Sequence, residues 1–414
     1  MRRVIFHIDV NSAFLSWTSV ERLKNGESDL RTVPAVISGS PGKRTSVVLA
    51  KSIPAKKYGI QTGEPIGLAL RKCPGLAVAP PSFRLYAAAS RAFKAICDDF
   101  SPLRESFSID ECFLDMSGME RLYPNILDAA YKLKDRIKNE LGFTVNVGVG
   151  SNKLLAKMAS DFEKPDKVHT LFSEEVETKL WPLPVRDLLF LGRSTAEKLE
   201  RFSIRTVGDL ARADLSLLRA QVGKKMSEQL HFYANGIDPS PVVTASPAAK
   251  SYSHSITVED DVTDFETADA LLLSLSDAAA ARMRDDAKCA CSIAIVLRDT
   301  RFQSKSHQTK LDVPTDVTKE IYQTTRQLLR AHWAGTPLRL IGVALSELTD
   351  RGEEQLTLFG SRPAANQKQQ RVDAAMDAIR FKFGEGTLIR GATLGVRHPK
   401  LHAPEDGDFP GEKK

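Results

Sequence analysis

The most constraining feature of this sequence is a pair of neighbouring acids in an otherwise apolar run. Asp110 and Glu111 interrupt the segment SFSIDECFLDMSG, in which Phe107, Phe113 and Leu114 are typical of a buried strand. A carboxylate that leaves water costs free energy unless a cation or a hydrogen-bond donor pairs with it. The fold must therefore supply partners for these two acids, and their nature bears directly on function.

A third acid, Asp9, ends the segment RRVIFHIDV, which predicts a short buried strand. If this strand pairs with the strand of Asp110 and Glu111, three carboxylates meet at one sheet edge. Their mutual repulsion would raise their pKa values unless cations lie between them. Oxygen ligands without His or Cys suit Mg²⁺, and two such ions about 4 Å apart can promote phosphoryl transfer.

The adjacency of Asp110 and Glu111 leaves an alternative open. Neighbouring residues of a regular strand point to opposite faces, so both acids reach one site only if the strand bends or begins there. Otherwise they are two solvated acids at the end of a surface strand. A strand near residue 146, in FTVNVGVG, is expected to share the sheet with those near residues 5 and 110.

Bulk composition sets broad limits on the class of protein. The chain has 414 residues, 42% hydrophobic and 27% charged, which predicts a soluble protein of two to four domains. Its five cysteines form no CxxC pair and no apolar run would span a bilayer, so we expect a cytoplasmic protein without a membrane partner. The net charge of +6 permits a nucleic-acid partner without establishing one.

Apolar periodicity predicts an α+β, multidomain layout. Helices are expected at Phe83–Phe100 and Ile126–Leu141, among short strands. Leu191–Ala211 has the pattern of a helix-hairpin-helix, whose backbone N–H groups suit a phosphate, although a plain helical turn is an alternative. The Pro- and Ser-rich segment Gly236–Lys250 predicts a linker.

Residues 251–345 predict the order β-α-β-β-α-β, which is typical of a small separate domain. This region carries a set of basic residues: Lys250, His254, Arg298, Arg301, Lys305, His307 and Lys310. Next to a phosphate-binding hairpin, they favour contact with a DNA backbone over a merely solvated face. A helix is expected over 367–383, and the last eighteen residues are expected to be disordered.

Several motifs occur in an order that identifies a family. HIDVNSAF, SIDE and GVGSNKLLAKMASDFEKP, followed by the helix-hairpin-helix, resemble a Y-family (lesion-bypass) DNA polymerase of the DinB/UmuC group over residues 1–350. The resemblance implies a right-hand polymerase fold. The implied parts are a palm (1–11 and 77–168), small fingers (12–76), a helical thumb (169–236), a linker (237–249), a β-α-β-β-α-β little finger (250–350), and a clamp-binding motif with a C-terminal tail (351–414).

The resemblance also implies the site residues for primer-template DNA and dNTP. Asp9, Asp110 and Glu111 would be catalytic and hold two Mg²⁺ ions, with the Val10 carbonyl as a further ligand. Phe14 falls at the steric gate, where an aromatic ring under the sugar excludes a 2′-hydroxyl. If the family resemblance is set aside, the sequence indicates only that Phe14 is an ordinary core residue of an amphipathic helix.

Two lysines fall at positions that contact the triphosphate in this family. Lys164, in EKP, matches the family's lysine, whereas Lys56, in IPAKKYG, stands where an arginine is usual. Ile53 likewise replaces the usual tyrosine. Because lysine lacks arginine's bidentate grip, we expect weaker nucleotide binding, with Ser52 and Lys57 as alternative donors.

The segment QLTLF resembles the pentapeptide by which bacterial polymerases bind the sliding β clamp. A polar side chain and apolar anchors in a short peptide suit such docking. The clamp-binding residues would be Gln355, Leu356, Leu358 and Phe359.

The leading interpretation is a monomeric, template-directed DNA polymerase of low fidelity that acts in translesion synthesis. One alternative is a catalytically inactive, clamp-recruited DNA-binding scaffold of the same fold. Another is a metal-dependent nuclease, which would need neither Phe14 nor Lys164. Asn11 stands where many family members have an acid, but it removes no metal ligand, so activity is expected.

Overall fold

The computed structural model describes residues 3–245, 248–351 and 364–393. These residues form two compact units, the first of residues 3–40 and 47–245, the second of residues 41–46, 248–351 and 364–393. The division falls inside the segment that the sequence predicts as a linker. Over these three ranges, no helix is both long and apolar enough to cross a membrane.

The first unit contains the elements predicted for palm, fingers and thumb. Its strands are β1 (Ile5–Val10), β2 (Ala35–Ser38), β3 (Val48–Lys51), β4 (Ala77–Ala79), β5 (Arg104–Ser106), β6 (Glu111–Asp115), β7 (Val145–Gly150) and β8 (Val168–Leu171). Its α-helices are α1 (Ala13–Lys24), α2 (Ile53–Lys56), α3 (Ile66–Lys72), α4 (Phe83–Asp98), α5 (Ile126–Leu141), α6 (Lys153–Ser160), α7 (Arg193–Arg201), α8 (Val207–Arg212), α9 (Leu215–Val222) and α10 (Lys224–Ala234).

A five-stranded sheet of order β5-β6-β1-β7-β8 forms the centre of the first unit. The three strands expected to share one sheet, β1, β6 and β7, do so, which confirms that prediction. Phe6 and Ile8 of β1 pack with α4 and α5 on one face, while Ile5 packs against Ala156 of α6 on the other. Because helices cover both faces, β1 is apolar along most of its length.

Glycines in β7 allow α6 to approach the sheet closely. A Cβ on Gly148 would lie 1.9 Å from the Ala156 carbonyl oxygen, so a larger residue cannot stand there. Helix α6 begins where the Asn152 side chain accepts a hydrogen bond from the Leu155 amide. This close packing brings polar side chains of α6 to the face of the sheet near the end of β1 that carries Asp9.

The first unit has two further cores, and helices α7 to α10 share one of them with α6. The sheet β3-β2-β4 packs with α2 and α3 around Val36, Ile60 and Ile66. Helices α7 to α10 pack around residues that include Leu199 and Leu210. Helices α7 and α8 are joined through residues 202–206, in agreement with the predicted helix-hairpin-helix, and α8 begins with a capping box in Thr206–Asp209.

The second unit has the predicted order β-α-β-β-α-β, followed by one further helix. Its elements are β9 (Ser251–Val262), α11 (Phe265–Asp285), β10 (Lys288–Asp299), β11 (Ser304–Thr315), α12 (Thr318–His332), β12 (Leu338–Asp350) and α13 (Ala364–Phe383). The strands form an antiparallel sheet of order β11-β10-β12-β9, and α11 and α12 pack on one of its faces.

The register of this sheet corrects the expectation of a single basic face. Arg298 and Lys310 lie on the face away from α11 and α12, whereas His254, Lys305 and His307 share the register of residues buried under those helices. Successive strand residues point to opposite faces, and the basic residues occupy both even and odd positions. The basic set is therefore divided between the two faces.

Helix α13 confirms the helix expected over 367–383 and packs within the second unit through charged groups. Asp277 of α11 pairs with Arg380 at 2.8 Å and with Arg390 at 3.0 Å. Arg284 lies two turns further along α11 and pairs with Asp377 at 2.7 Å. The predicted clamp-binding residues, Gln355–Phe359, and the chain from 394 onward lie outside the described residues.

Candidate active site

The residues predicted as metal ligands occupy neighbouring backbone positions at the end of β1. Asp9 lies directly opposite Glu111 in the antiparallel pairing of β1 with β6. Strand β6 begins at Glu111, and Asp110 lies in the turn before it, where its carbonyl accepts a hydrogen bond from the Val10 amide at 3.0 Å. Because Asp110 lies before the regular strand, strand alternation does not force the two neighbouring acids onto opposite faces.

The Asp9 carboxylate is almost fully buried and forms an ion pair with Lys164. The Lys164 ammonium also lies 2.7 Å from Asp161. Burial raises the pKa of Asp9 in spite of the nearby Lys164 and Lys157 ammonium groups. Burial acts to lower the pKa of Lys164, but the Asp9 and Asp161 carboxylates outweigh it and hold that pKa well above its usual value.

Glu111 has a second lysine as its partner. The Lys157 ammonium lies 2.7 Å from Glu111 Oε1, and His7 Nε2 lies 3.6 Å from Oε2. Burial acts to raise the pKa of Glu111, but the His7 imidazole and the Lys157 ammonium lower it to about 2. His7 is completely buried, which lowers its pKa, and its Nδ1 forms a hydrogen bond with the Ser160 hydroxyl at 2.8 Å.

The turn that carries Asp110 is held from helix α4. The Ser90 hydroxyl donates to the Ile109 carbonyl, and the Lys94 ammonium, only 6% exposed, donates to the Ser108 carbonyl at 2.9 Å. The Ser108 hydroxyl in turn donates to Asp110 Oδ1 at 2.6 Å. Ser90 and Lys94 are four residues apart and share one face of α4, so one helical stripe fixes the position of Asp110.

The site residues fit a hard divalent cation in their chemistry. As they stand, the described residues contain no group of three or more His, Cys, Asp or Glu side chains arranged around a metal position. Asp9 and Glu111 each pair with a lysine, and Asp110 accepts from Ser108. All the candidate ligand atoms are nevertheless oxygens. The two lysine ammonium groups supply positive charge at the place where an oxygen-bound Mg²⁺ ion would supply it.

Phe14 lies in the first turn of α1, directly after β1. Its ring is half-buried and stacks on Tyr86 of α4, with centroids 4.3 Å apart and planes inclined by 6°. The Tyr86 hydroxyl forms a hydrogen bond with the Thr18 hydroxyl at 3.0 Å. The ring is therefore held by aromatic packing and remains partly exposed, next to the strand end that carries Asp9.

In the fingers segment, Lys56 and Lys57 lie at the surface, whereas the Ser52 hydroxyl bonds to backbone groups. The Ser52 hydroxyl is buried, donates to the Val33 carbonyl at 2.7 Å and accepts from the amides of Ala35 and Ala55. Ser52 was a candidate donor to phosphate, and this expectation is wrong, because its hydroxyl anchors β2 and caps α2. The two exposed lysines remain as candidates.

Residues that sequence reasoning missed include His7, Lys157 and Lys94. The signal for Lys157 was present, since it interrupts the apolar run LLAKMAS, every residue of which is buried in α6. A buried lysine requires a partner, but the sequence does not say which. His7, between Phe6 and Ile8, and Lys94, in the run AFKAIC, gave the same kind of signal.

Comparison with family models covers most of the chain. The model described as the impB/mucB/samB family matches residues 8–161, and that of the family's C-terminal domain matches residues 249–358. A third, described as the DNA polymerase-iota thumb domain, matches residues 186–238. The matched ranges include Asp9, the helix-hairpin-helix and the β-α-β-β-α-β part of the second unit.

Whole-chain relatives carry the same domains. A DNA polymerase IV of Clostridium acetobutylicum is 42% identical over 395 residues, 95% of this chain and 99% of the relative. A DNA polymerase IV of Pelotomaculum thermopropionicum is 38% identical over 95% of this chain and 96% of the relative. A DNA polymerase IV 2 of Bacillus subtilis is 34% identical, over 95% of each. A solved Y-family DNA polymerase chimera, Dbh-Dpo4(243-245)-Dbh, has the same fold, with a TM-score of 0.73 at 23% identity over 84% of this chain and 99% of that one.

The fold is that of a Y-family DNA polymerase, and the DNA polymerase IV relatives that match almost the whole chain show that the protein is a DNA-directed DNA polymerase. Within that class, the chain belongs to the impB/mucB/samB family and is similar along its length to DNA polymerase IV. This confirms the resemblance found in the sequence. Membership implies binding of template-primer DNA and dNTP, and use of a divalent metal.

Proposed function

We propose that this enzyme extends primers with low fidelity in translesion synthesis, by two-metal nucleotidyl transfer. The observation that carries the proposal is the register pairing of Asp9 with Glu111, with Asp110 in the adjoining turn and Lys164 on Asp9. A nuclease needs acids of this kind but no lysine for a triphosphate and no aromatic ring beside the sugar.

Asp9, Asp110, Glu111 and the Val10 carbonyl would hold two Mg²⁺ ions, which supply Lewis-acid stabilisation to the attacking and leaving oxygens. Lys164 and Lys157 neutralise the carboxylates when no other cation does. Lys164, the more exposed of the two lysines, would then donate to the triphosphate of the dNTP.

Two further contacts complete the nucleotide site in this proposal. The Phe14 ring, backed by Tyr86, would lie under the sugar and exclude ribonucleotides by contact. Lys56 would take the place of the usual arginine, with Lys57 as the alternative. Outside the described residues, Gln355, Leu356, Leu358 and Phe359 would bind the bacterial β clamp.

Primer extension with matched carboxylate variants tests the proposal. In Mg²⁺, Asp110→Asn and Glu111→Gln are expected to lower single-nucleotide incorporation on the order of 100-fold or more, because each removes a charged ligand. Glu120→Gln changes an exposed carboxylate in the turn after β6 and is expected to have no effect. DNA affinity, measured by fluorescence anisotropy, should remain near wild type in all three.

Templates with and without an abasic site test the translesion part. The wild-type enzyme is expected to insert opposite the lesion and extend beyond it. Synthesis that stops at the lesion would limit the proposal to undamaged DNA. No extension on either template, with DNA binding intact, would instead indicate a catalytically inactive scaffold.

A further inference from the structure

The loop that carries Lys164 connects α6 to β8 and is held by two asparagine side chains. Asn146 in β7 is completely buried and lies opposite Asp9 in the pairing of β1 with β7. Asn11 follows β1 directly. Both amides therefore lie on the part of the sheet that carries the candidate metal ligands.

Asn146 bonds to the loop at both of its ends. Its Nδ2 donates to the carbonyls of Ser160, at 3.0 Å, and Glu163, at 2.7 Å. Its Oδ1 accepts from the Lys167 amide at 3.3 Å and from Asn11 Nδ2 at 3.1 Å. The amide thus uses both of its donors and both acceptor positions, which is the full capacity of an asparagine side chain.

Asn11 extends this network to the middle of the loop. Its Oδ1 accepts from the Asp166 amide and from the Thr144 hydroxyl, both at 2.9 Å. The backbone is then held on either side of Lys164, at Glu163 and at Asp166. Because Asn146 is buried with its polar groups satisfied, displacement of the loop would leave a buried polar group unpaired.

We infer that Asn146, together with Asn11, is a positioning residue that sets where the Lys164 ammonium lies. The inference rests on the proposed role of Lys164 toward the triphosphate. The chemistry of the amide is specific, since an aspartate at 146 would face the two carbonyl oxygens that Asn146 now donates to, and would add a negative charge beside Asp9. Alanine would leave both carbonyls without a donor.

A double-mutant cycle on single-nucleotide incorporation tests the inference. Asn146→Ala is expected to raise the KM for dNTP about tenfold with a smaller change in kcat, because a displaced ammonium binds the triphosphate poorly. In a Lys164→Ala background, where KM is already raised, the same substitution is expected to change KM less than about twofold. Asn11→Ala, which removes the bond to Asp166, should behave in the same way and serves if Asn146→Ala does not fold.

Asn125→Ala is the matched control, because it also removes an amide that accepts a backbone N–H, at the start of α5. It is expected to lower the melting temperature without changing KM. If Asn146→Ala raises KM by the same factor with and without Lys164, the inference is overturned while the role of Lys164 stands. If Lys164→Ala itself leaves KM unchanged, the proposed role of Lys164 fails and the inference falls with it.

Discussion

Single residues at the strand ends carry the charge balance of the candidate site. Asp9 and Glu111, which face each other across β1 and β6, have Lys164 and Lys157 as their respective partners. Burial makes each pairing necessary, since an isolated buried carboxylate would be strongly disfavoured. In the proposed site, divalent ions would take over part of this charge balance from the two lysines.

In the proposed site, one aromatic ring would set the sugar specificity. Because Phe14 stacks on Tyr86, it cannot turn aside easily for a 2′-hydroxyl, and we expect Phe14→Ala to lower the preference for dNTP over rNTP by about tenfold or more. The measurement is the ratio of kcat/KM for dNTP and rNTP on one template. Phe83→Ala removes a neighbouring ring of the same cluster, with its centroid 6.2 Å from that of Phe14, and should leave the ratio unchanged. An unchanged ratio in Phe14→Ala would show that Phe14 is not the gate.

The proposed role of Lys56 in binding the triphosphate can be tested by replacing its ammonium with alanine or with a guanidinium. Lys56→Ala is expected to raise the KM for dNTP several-fold, and Lys56→Arg to lower it or leave it unchanged, because a guanidinium binds phosphate through two bonds. Steady-state incorporation gives both values. Lys57→Ala is the matched control in the next position; if it raises KM while Lys56→Ala does not, the role moves to Lys57.

At the scale of elements, α13 shows how a helix can be attached through charges. Asp277 and Arg284, two turns apart on α11, are both buried and meet Arg380, Arg390 and Asp377 from the C-terminal segment. Loss of one partner from a buried pair leaves an uncompensated charge, which costs about 3–5 kcal/mol. The attachment of α13 therefore depends on each of these residues.

Replacement of Asp277 tests this dependence. Asp277→Asn is expected to abolish protection of the α13 amides from hydrogen exchange at pH 7, because Arg380 would stay buried without a counter-charge. Asp350→Asn breaks an exposed pair with Lys288 and is expected to leave protection unchanged. Equal protection in the two variants would show that packing, rather than charge, holds the helix.

The pH dependence of this attachment has a definite sign. Burial acts to raise the pKa of Asp277, but the Arg390 and Arg380 charges outweigh it and hold that pKa below its usual 3.8. Because the pKa of Asp277 is lower in the folded state, its ionised carboxylate contributes its full stabilisation of the folded state above pH 3.8. This contribution is lost as the pH falls through the lowered pKa. The difference in α13 protection between wild type and Asp277→Asn should therefore shrink below pH 3.8. A constant difference would contradict the assignment.

At the scale of the whole molecule, the chain joins a catalytic unit to a second unit that continues into the candidate clamp-binding motif. Tethering to a clamp raises the local concentration of primer ends without altering the active site. A variant that no longer binds the clamp should therefore lose clamp stimulation but keep nucleotide incorporation.

Replacing Gln355, Leu358 and Phe359 with alanine is expected to remove clamp-stimulated extension and leave single-nucleotide incorporation intact. Anchor residues commonly contribute about 2 kcal/mol or more each, so binding to the β clamp in a pull-down should be lost. A variant with Glu353→Gln and Glu354→Gln alters the same segment outside the motif and should keep stimulation. Full stimulation of the triple variant would mean that QLTLF is a chance match.

The sequence by itself determined helices α4 and α5 and the β-α-β-β-α-β order of the second unit, and it supplied the candidate acids. Helix α5 has the predicted bounds, Ile126–Leu141, because its apolar spacing, its Asn125 cap and the left-handed Gly142 are all local signals. Only the tertiary structure decided which partner each charge has. Lys164 and Asp9 are 155 positions apart, and Arg380 and Asp277 are 103 apart. It also placed Asn146 under the Lys164 loop and divided the basic residues between two sheet faces. No local pattern encodes these choices, because each depends on the register of strands and on how helices pack across them.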